Sequence, residues 1–556
     1  MTRIILKLKY LIPLIIFILL SVLIAWFYAR VIYDSPLIDE KSLTTEERVV
    51  VEENYFRLGP NWLRKNKGGN WESYIEGNAQ ERGQIIGKLH RELIIQQEEA
   101  FVGELKKQIP NAFYRRLLTL GIAWFNRDLD QHIPQEYREE IAGIARFFSD
   151  DYDYIGPKYN RLINYHAAHD IGHAVQNMRL VGCTAVGQWS KSDSSFMILG
   201  RNFDFYVGDE FAKNKLVMLI NPDEGYKFLS VGWGGFCGVV SGMNEKGLGI
   251  TLNSLKSEIP EQAGTPVSII ARDILQYAAS IDEAISIAAK YTSFVSESFT
   301  ISSAADGRMA IIEKTPNQMD VYWPSDTTLI ATNHCQSPKL NAETINLEHM
   351  SSSESTDRYE RTKQLLSRRE LSGVEDMAGI LRDQKALNDR NIGTSNPELI
   401  NQLIAHHSVI FKNYEKQVWV SNYPYQINGY DAYDLDDFNR WASPNHSGSA
   451  SIDSLTIAPD AFFSSPDYKT FEKFKQLKRQ LAEATEKELI IDDVTLQTFA
   501  ASNPEYYETY RLLGNYYVAM GQTKAALLAY RKSLTKEIAY QEDSIFIVGQ
   551  VQQLAP

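Results

Sequence analysis

The spacing of apolar residues changes several times along the chain. Tyr10 to Ala29, "YLIPLIIFILLSVLIAWFYA", is apolar with no charge inside it, and about 20 such residues cross a bilayer as a helix. From Trp71 to Arg179 apolar positions recur mostly at helical spacing, as in "GNAQERGQIIGKLHRELIIQQ" and "IPQEYREEIAGIARFF", the second with Pro134 near its first turn. From Cys183 the pattern shortens to β segments: "CTAVGQW", "FMILG", "LVMLI", "YKFLSV" and "GLGITLN", separated by turns such as "NPDEG" and "MNEKG". Two helices follow, one opened by Thr265-Pro266, the other by a capping box of Ser280 with Glu283. Strands return in "SFTISSA", "RMAIIEK" and "MDVYW", with Asp306-Gly307 as a hairpin turn, and "HSVIFKNYEKQVWVSN" predicts a further hairpin. Strands, helices, then strands predict an α+β class with an antiparallel sheet.

This reading divides the chain into a basic stub with a transmembrane anchor (1–33), a polar, Glu-containing linker (34–67), a helical segment (68–182), a β-rich body (183–460) and a helical tail (461–556). In the tail Tyr510, Leu513, Gly514, Tyr517, Gly521, Ala526 and Tyr530 fall close to the tetratricopeptide spacing. A single such unit is expected to pack on the body, or to form a half-built docking site for a protein partner.

Arg3, Lys7 and Lys9 precede the apolar run, so the expected orientation leaves the N-terminus in the cytoplasm and everything after Arg30 outside it, in the periplasm or at the cell exterior. A cleaved signal peptide is the rival reading; its apolar region is usually shorter, and "WFYA" is a poor small-x-small cleavage site. A net charge of −13 argues against nucleic-acid binding, which needs a basic face. The three cysteines, Cys183, Cys237 and Cys335, are too few and too scattered for a disulfide framework or a zinc knuckle.

Polar residues near predicted strand ends carry the candidate chemistry. Cys183 opens the β region directly after Gly182; "GRNFDF" places Arg201 and Asp204 just past a strand; "GMNEKGLGITLN" ends in Asn253; "LIATNH" places Asn333 at the end of an apolar run; "STDRYER" offers Arg358 at a helix start. Singly each has an ordinary reading: a small buried hydrophobe, a surface ion pair, a turn residue. Three further features compete. "HAAHDIGH" puts His166, His169 and His173 on one helical face, a spacing that suits zinc, but without the glutamate of "HExxH". His334 beside Cys335 suggests a cysteine-histidine pair, yet neighbours in a strand point to opposite faces. Cys237, in "GGFCGVV", reads as core.

In their order, Cys183 in "GCT", Arg201 and Asp204 in "GRNxD", Asn253 after "GxNExGL" and Asn333 in the "TN" step resemble the N-terminal-nucleophile (Ntn) hydrolases. Within them they resemble the isopenicillin-N acyltransferase-like branch, related to penicillin V acylases and choloylglycine hydrolases. Arg358 matches a later arginine more loosely. The glycines 77, 83 and 87, "IPQEYREEIAGIA" and the "HSVIF…VWVSN" hairpin are also family-like, so the resemblance runs from about Trp71 to Tyr423. It implies a four-layer αββα sandwich and a precursor that cuts itself between Gly182 and Cys183. Gly182 is expected to leave its carbonyl open to the thiol and to permit a strained backbone. The Cys183 α-amine then takes the thiol proton, so that nucleophile and base share one residue. Asp204 holds the amine, and Arg201 favours the thiolate or meets a substrate carboxylate. The Asn333 amide, with Asn253 or a backbone donor, stabilises the oxyanion.

The expected activity is amide hydrolysis or acyl transfer on a small, linear N-acyl substrate through a thioester, with no cofactor or metal. Tyr206, Trp233 and Phe236 are candidate linings of an acyl pocket. Two other classes remain open: a membrane-anchored, non-catalytic interaction protein with a degenerate hydrolase domain, and a zinc hydrolase built on the three histidines.

Overall fold

The computed structural model describes residues 2–38, 45–168, 170, 182–190, 196–258, 260–368, 370–443 and 446–555. Helix α1 (Thr2–Val31) contains the apolar run; from Leu11 to Val31 it is long and apolar enough to cross a membrane, and it is exposed except at its body-side end, where Phe27 is partly buried and Val31 is buried.

The first strands come earlier than the pattern predicts. The stretch read as a linker contributes β1 (Val49–Glu52), β2 (Tyr55–Leu58) and β3 (Asn61–Lys65), and the segment read as helical opens with β4 (Trp71–Gly77). These strands are short and charged, and β1 is exposed along its length, so they lack a half-buried alternation. In β4 a fully buried Glu72 interrupts the apolar pattern. Its carboxylate accepts from the Ala450 N–H, Ser449, Asn66 and Tyr433, which satisfies a group that is costly to bury unpaired.

Helices α2 (Ala79–Leu89), α3 (Arg91–Gln108), α4 (Ala112–Phe125), α5 (Gln135–Ala145) and α6 (Lys158–His166) follow. Asn78 and Glu81 form a reciprocal capping box at α2. Gly83 of α2 and Gly143 of α5 let the two helices touch backbone to backbone: a Cβ on Gly83 would sit 2.2 Å from the Glu140 carbonyl oxygen.

The β body supplies β5 (Thr184–Trp189), β6 (Met197–Phe203), β7 (Leu216–Pro222), β8 (Phe228–Gly232), β9 (Ser241–Asn244) and β10 (Leu248–Ser254). After α7 (Val267–Tyr277) and α8 (Ile281–Ala289) come β11 (Glu297–Ser303), β12 (Arg308–Lys314), β13 (Met319–Tyr322) and β14 (Thr328–Ala331). Helices α9 (Thr344–Ser352), α10 (Ser355–Arg368) and α11 (Val374–Leu381) precede β15 (His407–Lys412), β16 (Gln417–Ser421) and β17 (Tyr430–Asp434).

The strands form an 11-stranded sheet in the order β1-β2-β3-β4-β7-β8-β9-β10-β11-β12-β13 and a six-stranded sheet in the order β14-β5-β6-β15-β16-β17. Neighbours are antiparallel except β4 and β7, which run parallel from Trp71↔Leu216 to Gly77↔Pro222. Side chains alternate across each strand. Val217 and Leu219 face the second sheet, where they meet Leu199, Val409 and Val420. Leu216, Met218 and Ile220 face outward onto a core that includes Ile86, Ile141 and Ile270 of the helices. On the other side, Val186, Ile198 and Ile410 pack under Met377 and Leu381 of α11. The layers therefore run helices, sheet, sheet, helices.

The tail is helical: α12 (Pro466–Glu486), α13 (Asp493–Ser502), α14 (Tyr507–Ala519), α15 (Thr523–Ser533) and α16 (Gln541–Leu554). It shares a core with Leu403, Tyr425 and Ile427 of the body.

Candidate active site

Cys183 sits where the chain enters β5, at the inner end of the six-stranded sheet, and is fully buried. The antiparallel register places Ala185 opposite Arg201 on β6, so the side chain of Arg201, which lies far along the sequence, reaches back to the thiol. Its Nη2 lies 3.4 Å from Cys183 Sγ and also donates to the Leu252 carbonyl. Its Nη1 donates to Ser241 Oγ at 2.8 Å and to the Val240 carbonyl at 3.3 Å, and its plane lies over the Phe203 ring. Both terminal nitrogens are thus committed. That fits support of the thiol, while Nε has no hydrogen-bond partner among the described residues.

Arg358, the loosest sequence match, is fully buried at the start of α10. Its Nη1 donates to the Cys183 carbonyl and to Thr184 Oγ1 at 3.0 Å, and its Nη2 to Asn333 Oδ1 at 2.7 Å. One planar fork therefore holds the Cys183 backbone and the Asn333 side chain in fixed relation, a task for which guanidinium is suited. Asn333 follows β14; its Nδ2 donates to the Ser254 carbonyl at 2.9 Å, which leaves its second amide hydrogen uncommitted among the described residues. Asn253 closes β10, and its Nδ2 spans the carbonyls of Ala331 and Thr332 at 3.0 and 3.1 Å. Both of its amide hydrogens are used, so in this state Asn253 ties β10 to the strand carrying Asn333 and has no N–H free for an oxyanion.

Asp204 follows β6 and is also fully buried. Its backbone carbonyl accepts the Gly182 N–H at 3.1 Å, and its Oδ1 has no partner among the described residues. Burial raises its pKa to about 7, against the pull of Arg358 and Arg201. Burial likewise pushes the Cys183 thiol up to about 11, with Arg201 drawing it down and Asp204 adding to the rise. In the continuous chain the thiol is therefore held neutral.

The raised carboxyl has a measurable consequence. Between its unfolded value of 3.8 and its folded value of about 7, folded protein retains a proton that unfolded protein releases. The stability contributed by this carboxyl is full below the lower value and falls as pH rises through the upper one. In a Cys183→Ala background, the unfolding free energy with Asp204 minus that with Asp204→Asn is expected to shrink by roughly 2–4 kcal/mol from pH 4 to pH 8, at about 1.4 kcal/mol per unit. Denaturant titrations at several pH values read this difference; a pH-independent difference contradicts a buried, uncharged Asp204.

A residue that the sequence pattern did not single out completes the group. Gln402 Nε2 donates to the Gly182 carbonyl at 3.0 Å and lies 3.5 Å from Asp204 Oδ2. A Cβ on Gly182 would come within 2.6 Å of that amide nitrogen, so a larger residue here would push the Gln402 side chain off the Gly182 carbonyl.

The competing features resolve differently. His166 is buried, its Nδ1 on the Leu162 carbonyl and its Nε2 accepting the Cys237 N–H at 3.0 Å; burial lowers its pKa to about 4. Both ring nitrogens are engaged within the protein, and His169 and His173 lie outside the described residues. His334 and Cys335 lie past the end of β14, not within a strand; His334 bonds Ser355 Oγ, and the Cys335 N–H bonds Asn346. Trp233 and Phe236 stack at 4.2 Å between centroids and line a small apolar pocket with Phe205 and Phe211. Tyr206 instead turns its hydroxyl to Asp209. A larger cavity of about 730 Å³ shares Phe101, Tyr165 and Phe205 with this pocket, and Asn333 and Ser254 are among its lining residues.

A family model described as acyl-coenzyme A:6-aminopenicillanic acid acyl-transferase matches residues 189–406. An uncharacterized protein of Archaeoglobus fulgidus is 28% identical over 236 residues, and the alignment covers 39% of this chain and 39% of that protein. The chain thus spans about two fifths of the length of the curated relative it matches. Among solved structures, a Caenorhabditis elegans N-acylethanolamine-hydrolyzing acid amidase ortholog aligns with a TM-score of 0.31 at 15% identity, covering 42% of this chain and 93% of that one. A mutant conjugated bile acid hydrolase from Clostridium perfringens aligns with a TM-score of 0.32 at 14% identity, covering 48% and 96%. Arg201, Asp204, Asn253, Asn333 and Arg358 all fall inside the segment that the family model matches, and Cys183 lies just before it.

Proposed function

We propose that this chain is a cysteine amidase or acyltransferase that activates itself by cutting between Gly182 and Cys183. The observation that carries the reading is the convergence on Cys183 of groups remote in sequence: Arg201 at the thiol, Arg358 bridging the Cys183 carbonyl to Asn333, and Gln402 on the Gly182 carbonyl.

In the first step the Cys183 sulfur attacks the Gly182 carbonyl carbon. A C–S bond forms, the C–N bond breaks, and the thiol proton ends on the released amine. Gln402 donates to the carbonyl oxygen as it gains charge. Water then hydrolyses the thioester, leaving a Gly182 carboxylate and a free Cys183 with its own thiol and α-amine. That amine emerges beside Asp204, whose unpartnered oxygen is placed to receive its ammonium form. The new cation favours the carboxylate and draws down the thiol pKa.

In turnover the α-amine takes the thiol proton and the thiolate attacks the substrate amide carbonyl. The spare Asn333 N–H stabilises the oxyanion. The substrate amine leaves with the proton from the ammonium, and a thioester remains. Water completes hydrolysis; a second amine completes acyl transfer.

Assay of the purified full chain against N-acyl amino acids, conjugated bile salts and penicillin V, with and without an added acceptor amine, tests the reading. Amine release from at least one class is the expected result. A processed protein that releases amine from none of them contradicts it and favours a non-catalytic role.

Gln402 separates activation from turnover. Gln402→Ala is expected to slow self-cleavage about tenfold, the worth of one neutral hydrogen bond. Pulse-chase analysis of the precursor measures this; unchanged cleavage with Gln402→Ala assigns the residue to packing alone. We further propose that α1 anchors the enzyme in a membrane with the body on the non-cytoplasmic side, as the positive residues ahead of the apolar run favour.

A further inference from the structure

Helix α4 is out of character for a soluble body. None of its residues is buried, and Phe113, Tyr114, Leu117 and Trp124 are 74%, 54%, 49% and 36% exposed. Phe113, Leu117, Gly121 and Trp124 recur at i, i+4, i+8 and i+11, so they share one face. On the adjoining face, Arg116, Leu120 and Ala123 line the 730 Å³ cavity. One short helix thus separates an apolar outer surface from a cavity that Asn333 also lines.

The position of α4 identifies what covers its outer face. Trp124 packs against Trp26 at 5.3 Å and stacks on Phe27 at 5.8 Å, and Arg116 Nη2 lies 3.4 Å from the Tyr28 hydroxyl. These partners belong to the body-side end of the membrane-length stretch Leu11–Val31. Tryptophan and tyrosine gather at the bilayer surface, where an apolar ring meets a polar edge. Where α1 leaves the bilayer, α4 is therefore held against it. The cavity shares these walls, being lined by Phe27, Tyr28, Val31 and Ile32 of α1 as well as by α4.

We propose that α4 lies in the bilayer surface and that the cavity between α1 and α4 is a side entrance through which the acyl chain of a lipid-dissolved N-acyl amide passes from the membrane to Asn333. This rests on the amidase reading above and adds to it a substrate class, amphiphiles with long acyl chains, and a route of entry.

Full-length protein in phosphatidylcholine vesicles tests both parts. The native cysteines are all buried, so in a Cys183→Ala background Leu117→Cys directs an environment-sensitive fluorophore to α4, and Ile490→Cys, 91% exposed in the tail, serves as the reference. The label at 117 is expected to shift to the blue and to be quenched by lipids carrying a shallow spin label, while the label at 490 is not. Equal exposure of the two labels overturns the membrane contact. In otherwise unsubstituted protein, Leu117→Glu is expected to slow hydrolysis of a vesicle-dissolved N-hexadecanoyl amino acid by about tenfold or more, because a charge opposes insertion of the helix face. Hydrolysis of the water-soluble N-butanoyl counterpart is expected to fall less than twofold. Equal losses on both substrates, or none on the long-chain one, overturn the entrance. If unsubstituted protein hydrolyses neither substrate, the entrance is overturned, the amidase reading is decided by the wider substrate assay above, and the label still decides the membrane contact.

Discussion

Cys183→Ala is expected to give a chain that folds, stays whole and has lost activity by on the order of 10⁴-fold or more, the scale on which removal of a nucleophile is felt. The fold should persist because the thiol contributes little else. Alanine removes one sulfur from a buried site, and Arg201 keeps the Leu252 and Val240 carbonyls and Ser241 Oγ as acceptors when the sulfur is gone. Arg358 bonds the Cys183 backbone carbonyl, which the substitution leaves in place. Circular dichroism with an amine-release assay reads both halves of the expectation. Activity within tenfold of the unsubstituted protein would return Cys183 to the status of a core residue. Cys183→Ser is expected to process more slowly, since a hydroxyl undergoes the same acyl shift with a poorer nucleophile.

Asn333→Ala is expected to lower kcat by about 10²–10³-fold with a smaller change in KM, because an oxyanion donor acts mainly in the transition state. The alanine variant alone is ambiguous, since it also removes an acceptor from Arg358 and a donor to the Ser254 carbonyl. An unsatisfied buried group costs roughly 1–3 kcal/mol. Asn333→Asp separates the two roles: it keeps an oxygen for Arg358 and removes the N–H. Comparable loss of kcat in both variants supports the oxyanion assignment. If Asn333→Asp retains kcat within about threefold, Asn333 is a structural tether.

The parts of this site legible from sequence are those whose chemistry and strand position coincide. Arg201 and Asn253 lie near the ends of β6 and β10, which are buried along their length, and Asp204 and Asn333 lie just past β6 and β14; a polar residue at or near such a strand end stands out. Gln402 has no such frame. It lies in a loop before β15, and its meaning arises only when the fold brings it to the Gly182 carbonyl. Asn253 was legible as a member of the set, but the partners that occupy both its amide hydrogens are tertiary. The same limit applies to β4. A central strand carrying Glu72 does not alternate visibly, because the groups that satisfy the carboxylate come mostly from around residues 431–450, far along the chain.

Strand β4 also bears on activation. It belongs to the segment ahead of Cys183, yet it pairs with β3 on one side and β7 on the other. Cutting before Cys183 leaves this ladder intact, so the two pieces should stay together without denaturant. Intact-mass measurement with N-terminal sequencing of the purified protein tests the account most directly. The account expects two co-purifying fragments, one ending at Gly182 and one running from Cys183 to Pro556. A single uncut chain with full activity would contradict it.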